Sequence, residues 1–451
     1  MKQPHRRIPL LVACALILTA CGGTAVRSPA TATDPGVAAA GDAQPPVDVA
    51  AFRSEGKLAF VADDRLTILD GERVTLHTVT GSGQARYPTW SSDGQWLAYL
   101  RAASADARMT TLWLVRSDGS QAHAVSGLPA PVAQGYLVPS LAWSPTAETL
   151  AVVLSGTPGA DGLWLIHTDG SIQQAAAQGQ SVGSFAWSPD GQTLAYTATL
   201  SIQGRPDALF TVPGGGTATQ RLVAAANTGL VVADWWPDGQ GLVFWPEPDH
   251  SSSVALDGLM LQSLALGSAT PRDLIKTPVY LDWRSWSPAG DQLLLVEQRG
   301  WRPAWDRKTL ATCDVRAGTC RSLPQPPDAV SFAPAWSPEG SPVALVRAKD
   351  AGASGGLGSV PAATWSLTRT LVIADATGAN ARTLTAAGEG IDRPQWSRDG
   401  TRLLYLRDNA VWLIGADGGV PQRIVGPLPN PPDGASIYGH VPWERSVAWY
   451  R

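Results

Sequence analysis

The sequence is poor in charge, in sulfur and in long apolar runs. Only 16% of its 451 residues are charged and the net charge is −4. This balance excludes the strongly basic surface on which nucleic-acid binding and polybasic membrane binding depend. The apolar run at residues 8–20 falls short of the roughly 20 residues that a permanent transmembrane helix requires. We therefore expect no nucleic-acid partner and no membrane-spanning segment.

The first twenty residues have the pattern of an export signal. Three basic residues precede the apolar run at residues 8–20, which ends in small residues. A segment of this kind directs export and is then removed. We expect residues 1–20 to be a signal peptide and not to belong to the folded protein.

The residues that end this segment resemble the signal of bacterial lipoproteins. They read Leu-Thr-Ala-Cys-Gly across residues 18–22. The resemblance implies cleavage before Cys21 and acylation of Cys21, which would anchor the protein to a membrane essentially permanently. The alternative is an ordinary signal peptide with an incidental cysteine. A lipid anchor would place the protein at the cell envelope, on the outer membrane or the outer leaflet of the cytoplasmic membrane.

Residues 21–50 form the next segment, and almost no large apolar side chain occurs there. Alanine, threonine, proline, glycine and aspartate dominate it. Such a composition cannot bury enough surface to offset the entropy of ordering the chain. We expect a flexible tether, followed by one folded domain over residues 51–451.

Of the four cysteines, two remain for the folded domain, because Cys14 lies in the signal peptide and Cys21 would carry lipid. Cys313 and Cys320 lie in two strand-forming runs on either side of a turn. Outside the cytoplasm a disulfide is the expected state. A loop this short would gain at most roughly 2–3 kcal/mol from the crosslink.

A tryptophan-centred motif recurs along the domain. The copy at residues 187–196 reads WSPDGQTLAY, and the copies follow one another at intervals of roughly fifty residues, a period typical of propellers and other repeat arrays. The motif tryptophans are Trp90, Trp143, Trp187, Trp235, Trp286, Trp336, Trp396 and Trp449.

Each repeat predicts four antiparallel strands. The first strand ends at the tryptophan, and Ser-Pro-Asp-Gly supplies a turn in which proline fixes φ, aspartate bonds the backbone and glycine takes a positive φ. A second strand, a third ending in Asp-Gly, and a fourth follow. Four such strands make one blade, so the pattern predicts an all-β propeller.

The number of blades depends on the two ends of the domain. Residues 58–79 supply the second, third and fourth strands of a repeat whose first strand is missing, and residues 446–450 supply a first strand with nothing after it. Pairing the two would close the ring and satisfy both strand edges. We expect eight blades, or seven if the C-terminal strand packs elsewhere.

The motif resembles the repeat of TolB-type β-propellers. W-S-P-D-G-x-x-L-A-Y followed by a strand with Asp-Gly covers residues 56–451. The resemblance implies the propeller fold and says little about function. TolB has an α/β domain before its propeller, and the tether is too poor in hydrophobic residues to be that domain, so the resemblance does not imply a role in the Tol-Pal system.

The repeated motif residues have a functional and a structural interpretation. The tryptophans could stack on carbohydrate, but one per blade in the same register is what packing between blades requires. The aspartates could form a ring of carboxylates, but Ala289 and Glu339 replace them in two repeats without disturbing the pattern, which favours turn capping. The aspartates concerned are Asp93, Asp190, Asp238 and Asp399.

No catalytic constellation is predicted. Ser354 fits the G-x-S-x-G pattern, yet a nucleophile elbow needs a strand before it and a helix after it, and this copy lies in a loop rich in glycine and alanine. Propeller-gated peptidases resemble this chain, but 451 residues leave no room for their catalytic α/β domain. We expect no enzyme activity.

Metal and cofactor sites are not predicted either. Propeller lyases that hold a metal with histidines offer a comparison, but the histidines here are scattered singly and lack zinc-like spacing. They are His77, His123, His167, His250 and His440.

Binding is predicted on one face of the ring, where links of variable length emerge. These links are residues 245–256, 298–308, 347–364 and 426–444. The link at 298–308 is rich in the residue types enriched at interface hot spots. Its candidate binding residues are Trp301, Arg302, Trp305, Asp306 and Arg307.

The resulting prediction is a monomeric, non-enzymatic scaffold that binds another envelope or extracellular protein. An alternative interpretation of the link at 298–308 is that Trp301 and Trp305 only pin it to the blade. In the alternative for function, the protein binds a glycan or small ligand, or acts as a lyase, at the mouth of the central channel. Acidic or histidine side chains near the axis would favour that alternative, and an exposed apolar patch with Trp and Arg would favour protein binding.

Overall fold

The computed structural model describes most of the domain. The described residues are 45–79, 83–102, 110–133, 140–157, 159–176, 181–200, 207–216, 219–225, 228–248, 257–352, 362–388, 390–428 and 438–451. Predictions that concern Cys21, His250 and Ser354 lie outside them. None of the described helices is both long and apolar enough to cross a bilayer.

In the described part of the first half of the domain, all the regular elements are strands. In chain order they are β1 (Lys57–Ala62), β2 (Arg65–Asp70), β3 (Thr75–Val79), β4 (Gln84–Trp90), β5 (Trp96–Ala102), β6 (Thr110–Arg116), β7 (His123–Ala124), β8 (Leu141–Trp143), β9 (Thr149–Leu154), β10 (Gly162–His167), β11 (Ile172–Gln174), β12 (Val182–Trp187), β13 (Thr193–Ala198), β14 (Ala208–Pro213) and β15 (Gln220–Ala224).

Within its described residues, the second half adds one short helix, α1 (Ala362–Ser366), and 3-10 turns at Leu281–Trp283 and Trp443–Arg445. Its strands are β16 (Thr228–Trp235), β17 (Gly241–Pro248), β18 (Leu259–Ala265), β19 (Arg272–Thr277), β20 (Arg284–Trp286), β21 (Leu293–Gln298), β22 (Lys308–Asp314), β23 (Thr319–Ser322), β24 (Ala329–Trp336), β25 (Val343–Lys349), β26 (Thr370–Ala374), β27 (Arg382–Thr383), β28 (Asp392–Trp396), β29 (Arg402–Arg407), β30 (Ala410–Gly415), β31 (Gly418–Val425) and β32 (Val447–Tyr450).

These strands form eight four-stranded antiparallel sheets, which are the blades of a propeller. Blade 1 combines β1–β3 with β32, and blades 2 to 8 follow in sets of four from β4 to β31. The strand that ends in the motif tryptophan is at one edge of every sheet and contacts its counterparts in neighbouring blades, so these strands surround the central channel. The prediction of eight blades is confirmed.

The ring closes through the two ends of the domain, as predicted. In blade 1, β32 pairs with β1 in a register that sets Phe60 opposite Val447 and Lys57 opposite Tyr450. Without this pairing β1 and the last strand would each leave an edge of unpaired N–H and C=O groups. Trp90 of the next blade adds a bond to the closing strand through its indole N–H, 3.1 Å from the carbonyl oxygen of Ala448.

The core lies between neighbouring blades. The second strand of blade 2, β5, is buried along its whole length, because both of its faces are covered. Tyr99 on β5 packs in one cluster with Ala59 and Ile68 of blade 1. Each blade thus buries its apolar faces only against its neighbours, and the ring must close to bury them all.

The folded domain begins earlier than the predicted boundary at residue 51. Val47 forms a β-bridge with Val425 of blade 8, and the N–H of Asp48 donates to the carbonyl of Ile424 at 2.8 Å. Val47 and Val49 pack against the apolar cluster formed by blades 8 and 1. Residues 45–50 therefore belong to the propeller.

The predicted disulfide is present in the structure. Cys313 on β22 and Cys320 on β23 are directly opposed, with an S–S distance of 2.02 Å. Cys313 is fully buried between blades. The crosslink therefore joins the two outer strands of blade 6.

Candidate functional site

The motif tryptophans connect neighbouring blades. In five of the eight blades the indole N–H donates to the carbonyl of the residue just before the preceding blade's motif tryptophan. The bonds are Trp90 to Ala448, Trp143 to Thr89, Trp187 to Ala142, Trp235 to Ala186 and Trp396 to Ala335, at 3.0–3.1 Å. A group that is bonded in this way is committed to structure, so the packing interpretation of the tryptophans is supported.

Three blades depart from this pattern. Trp449 of blade 1 donates to the carbonyl of Glu55 at 2.6 Å, and the other two are the neighbouring blades 6 and 7. Trp286 donates instead to the side chain of Asp234, which also forms an ion pair with Arg284. The indole N–H of Trp336 is buried without a partner among the described residues, while its backbone N–H takes the Ser285 hydroxyl as acceptor. The regular inter-blade bonding thus gives way to charged side chains at blades 5 to 7.

The motif aspartates cap their own turns, as the structural interpretation holds. Asp190 accepts hydrogen bonds from the Ser188 hydroxyl at 2.5 Å and from the Gln192 N–H at 3.0 Å. These bonds lower the pKa of Asp190. In blade 6, where Ala289 replaces the aspartate, Asp291 accepts the bond from the Ser287 hydroxyl instead. This turn-bearing end of the ring is called the turn end below.

The opposite end, where the variable links lie, is called the mouth end. The link at residues 299–307 is organised by two buried charges. The Lys308 ammonium is fully buried and donates to the carbonyls of Trp301, Pro303 and Asp306 at 2.6–2.8 Å. The Asp306 carboxylate, also fully buried, accepts from the Trp301 N–H at 2.6 Å. Burial lowers the pKa of Lys308 to about 7.

The five predicted binding residues do not share one role. Trp305 packs on Trp365, with ring centroids 5.6 Å apart, and Asp306 is buried inside the loop. Arg302 pairs with Asp257, while Trp301 has 67% of its surface exposed. The fifth residue, Arg307, is also largely exposed. The loop is therefore pinned by Trp305 and Asp306, and it presents Trp301 and Arg307 to solvent.

A cavity of about 530 Å³ follows one side of the central channel. Its walls come from the channel strands of blades 1, 2, 3 and 8. Arg393 and Glu444 are the charged side chains that line it, and they form an ion pair at 3.3 Å near the mouth end. Most of the remaining lining is apolar or aromatic.

Three channel strands bulge at the same motif position, three residues before the tryptophan. Tyr87, Ala333 and Arg393 each have a φ near +50° there, and the strand register shifts at each of these points. A proline follows each of them and needs no partner for an N–H, which suits a bulge. Bulges re-aim side chains, and here two of them contribute Tyr87 and Arg393 to the cavity wall.

Residues 438–446, called the mouth segment below, cross from blade 6 to blade 1 at the mouth end. The Tyr438 carbonyl accepts from the N–H of Ala304 in the 299–307 loop at 2.8 Å. The Gly439 carbonyl accepts from Arg369 of blade 7 at 2.5 Å. The segment continues to Glu444 at the cavity and then enters β32. It therefore joins the predicted loop to the channel.

The mouth segment is also anchored by a buried ion pair. His440 stacks on Tyr280 at 3.9 Å, and its Nε2 donates to Asp282 at 2.9 Å. Burial alone would lower the pKa of His440, but the Asp282 carboxylate outweighs it and raises that pKa. Burial likewise acts to raise the pKa of Asp282, and the His440 charge outweighs it and holds that pKa low. Both groups are stabilised in their charged forms.

Two more carboxylates lie close to this pair. Asp392 bonds Arg369 at 3.0 Å with both side chains buried, and burial raises the pKa of Asp392 against the effect of Arg369. Burial also raises the pKa of Glu444, although Arg393 opposes it. Among the described residues, the mouth of the channel therefore holds three ion pairs, which are close enough to influence one another. Acidic and histidine side chains at this position are the feature expected to favour a ligand at the channel mouth, whereas the exposed Trp301 and Arg307 favour a protein partner.

Sequence reasoning missed this cluster, which contains Asp282, His440, Asp392, Arg393 and Glu444. His440 was expected to be an isolated histidine, and the structure instead places it against Asp282 from another blade. A signal was available: Asp282 and Asp392 each lie four residues before a motif tryptophan. Proline two residues before the tryptophan marks the bulges in the same way.

The other histidines of the described residues are placed singly. His77 and His167 contact threonine hydroxyls, and His123 contacts a backbone carbonyl. No group of three or more metal-ligating side chains occurs within the described residues.

Comparisons with known proteins show the fold. No family profile and no curated protein matches the chain. Porphyromonas gingivalis dipeptidyl peptidase 4 matches with a TM-score of 0.54 at 12% identity, over 84% of this chain and 61% of that one. A prolyl endopeptidase matches with a TM-score of 0.51 at 14% identity, over 78% of this chain and 51% of that one.

TolB proteins are among the matches as well. TolB from Agrobacterium tumefaciens matches at 16% identity with a TM-score of 0.38, over 78% of this chain and 96% of that one. This chain spans about half the length of the prolyl endopeptidase. At these identities the likeness shows the β-propeller fold alone.

Proposed function

We propose that this propeller is a non-enzymatic binding protein of the cell envelope, which holds another envelope or extracellular protein on its mouth end through the 299–307 loop. It acts as a monomer and is tethered by lipid on Cys21. The observation that carries the proposal is the 67% exposure of Trp301 on a loop that is otherwise fixed from within.

The exposure of Trp301 contrasts with the rest of its residue type. Every motif tryptophan is half-buried or fully buried, and Trp305 packs on Trp365. A solvent-exposed indole has no stabilising role in the fold, whereas tryptophan is the residue type most enriched at the centres of protein interfaces. Arg302 and Arg307 beside it supply the polar rim that such a centre requires.

The loop is also prepared for binding. The three carbonyls on Lys308 and the buried Asp306 fix the backbone on which Trp301 is displayed. A loop already held in one conformation loses little entropy when a partner binds, so more of the contact energy is retained as affinity.

The envelope location is supported by two independent features. The sequence before Cys21 resembles a lipoprotein signal. The Cys313–Cys320 disulfide is of a kind that persists outside the cytoplasm and is rare within it. Neither feature distinguishes an outer membrane from the outer leaflet of a single membrane.

The test is affinity capture from the native envelope, using the full chain with an affinity tag between residues 22 and 44. Wild type is compared with Trp301→Ala, and with Val420→Ala as a matched control, because Val420 is an exposed apolar side chain on β31 of blade 8. We expect one envelope protein to be recovered with wild type and with the control, and at least tenfold less of it with Trp301→Ala.

Two results would overturn the proposal. Equal recovery with Trp301→Ala would remove the loop from the interface. Recovery of no protein partner with any of the three chains would remove protein binding as the function.

A further inference from the structure

The proposed protein-binding function does not involve the channel cavity, although the cavity has the size and lining of a ligand site. Its volume of about 530 Å³ falls inside the range of roughly 300–1,000 Å³ that is typical of small-molecule sites. Leu100, Leu141 and Val447 give it apolar walls, and Arg393 with Glu444 forms a single ion pair at one end. An apolar pocket with a few convergent polar groups is the usual form of a ligand site.

We propose that this cavity binds a small zwitterion, of the class of an α-amino acid with an apolar side chain. The ligand carboxylate contacts the Arg393 guanidinium and the ligand ammonium contacts the Glu444 carboxylate. The apolar side chain lies against Leu100, Leu141 and Val447. Binding is non-covalent.

The ion pair determines the charge of the ligand. Arg393 and Glu444 are 23% and 44% exposed, so both are reachable from the cavity. A ligand with only a negative charge would share Arg393 with Glu444 and leave a net negative charge in a largely apolar site, which is costly. A ligand with only a positive charge would share Glu444 with Arg393 and leave a net positive charge there. A zwitterion offers each group a second partner and leaves no charge unpaired.

The spacing of the pair agrees with this class. The guanidinium nitrogen and the carboxylate oxygen are 3.3 Å apart, which is comparable to the separation of amine and carboxylate in an α-amino acid. Burial raises the pKa of Glu444 even with Arg393 beside it. An ammonium group beside this carboxylate would act in the same direction as Arg393 and favour its charged form.

Both charged groups are held in place by the surrounding structure. Arg393 stands on the bulge of β28 at a φ of 49°. Glu444 is carried by the mouth segment, which the pair His440–Asp282 and the bond from Arg369 to Gly439 fix to blades 6 and 7. Asp282 and His440 act here as positioning residues, because they hold the segment that carries Glu444.

The experiment is isothermal titration of the full-length, detergent-solubilised protein with three probes. L-leucine carries both charges, N-acetyl-L-leucine lacks the ammonium, and L-leucine amide lacks the carboxylate. We expect L-leucine to bind at least tenfold more tightly than either blocked probe.

Three variants assign the charges to residues. Glu444→Gln should bring L-leucine and N-acetyl-L-leucine within about twofold of each other. Arg393→Met should do the same for L-leucine and L-leucine amide, and Arg393→Lys should restore part of the original preference. Unchanged thermal unfolding of the variants confirms that the propeller is intact, and L-leucine should protect wild type from unfolding.

The proposal is overturned if L-leucine does not bind at millimolar concentration. It is also overturned if the blocked probes bind as tightly as L-leucine, or if Arg393→Met and Glu444→Gln leave the preference unchanged. Trp301→Ala, which tests the protein partner, should not alter any of these titrations, so the two proposals fail separately.

Discussion

The two ends of this propeller follow different rules. At the turn end the blades repeat one solution, in which a serine and an aspartate close the hairpin and the tryptophan indole bonds the preceding blade. At the mouth end the same strands bulge, form ion pairs and contact a crossing segment that has no counterpart in the repeat. The repeated contacts at the turn end hold the ring together. The residues that differ from the repeat lie at the mouth end, where a ligand or partner can bind.

The sharpest way to separate the two ends is to remove a tryptophan from each. Trp396 is fully buried and its indole donates to Ala335, so Trp396→Ala should lower the free energy of unfolding by about 3–5 kcal/mol, as is usual for truncating a buried aromatic residue. Trp301→Ala should change it by less than about 0.5 kcal/mol, because the side chain is exposed. Urea unfolding followed by fluorescence measures both. Similar losses for the two variants would contradict the division.

The buried ion pair at the mouth should make stability depend on pH. Removing one partner of a buried pair leaves the other uncompensated, so Asp282→Asn should cost about 3 kcal/mol at mildly acidic pH. The contribution of His440, whose pKa is raised, is fully present below the ordinary value of 6.5 and is lost as pH rises through the folded value. The contribution of Asp282 to stability is present above its ordinary pKa of 3.8 and is lost as pH falls through its lowered pKa in the folded protein.

The difference in the free energy of unfolding between wild type and Asp282→Asn should therefore be largest between pH 3.8 and 6.5 and should shrink at alkaline pH. Denaturant titrations of both proteins across this range give the measurement. Asp392 and Glu444 also face this region, and the Asp282 carboxylate is one of the causes that raise the pKa of each. Asp282→Asn removes that repulsion as well, so the measured difference is the loss of the pair less the relief of these two carboxylates. A difference that is flat with pH would show that the pair is not charged.

The smallest effect concerns a single hairpin at the turn end. Asp190→Ala removes a cap that accepts from Ser188 and Gln192, so we expect a loss of about 1 kcal/mol. Ala289→Asp is the matched control, because in blade 6 Asp291 already provides the bond to Ser287, and it should change stability by less than about 0.5 kcal/mol. Thermal unfolding of Asp190→Ala and of Ala289→Asp measures both changes in stability. A large gain from Ala289→Asp would mean that Asp291 is not an equivalent cap.

Most of the fold could be predicted because it is repeated. The period of the tryptophans, the turn chemistry after them and the split repeat at the two ends predict eight blades and their closure, and Trp449 on β32 confirms it. The disulfide followed from the same strand pattern. Local turn and strand patterns are sufficient to predict the structure where every blade has the same pattern.

The mouth end could be predicted only in part. The motif placed the variable links on one face, but it did not show that Ala304 contacts Tyr438 or that His440 reaches Asp282 across 158 residues of sequence. Such contacts depend on which blades a crossing segment passes, and this is a property of the closed ring rather than of any local window. For the same reason, the sequence alone did not show that Trp305 and Asp306 hold the loop in place while Trp301 is exposed to solvent.

The central claim is that the mouth end binds and the turn end only supports. A photo-crosslinking amino acid installed at position 307 or at position 190, in otherwise native chains in the living cell, tests it most directly, since both sites are exposed and lie at opposite ends of the ring, and Trp301 is kept. We predict a single crosslinked envelope protein from position 307 and none from position 190. The same partner from position 190, with none from 307, would contradict the account.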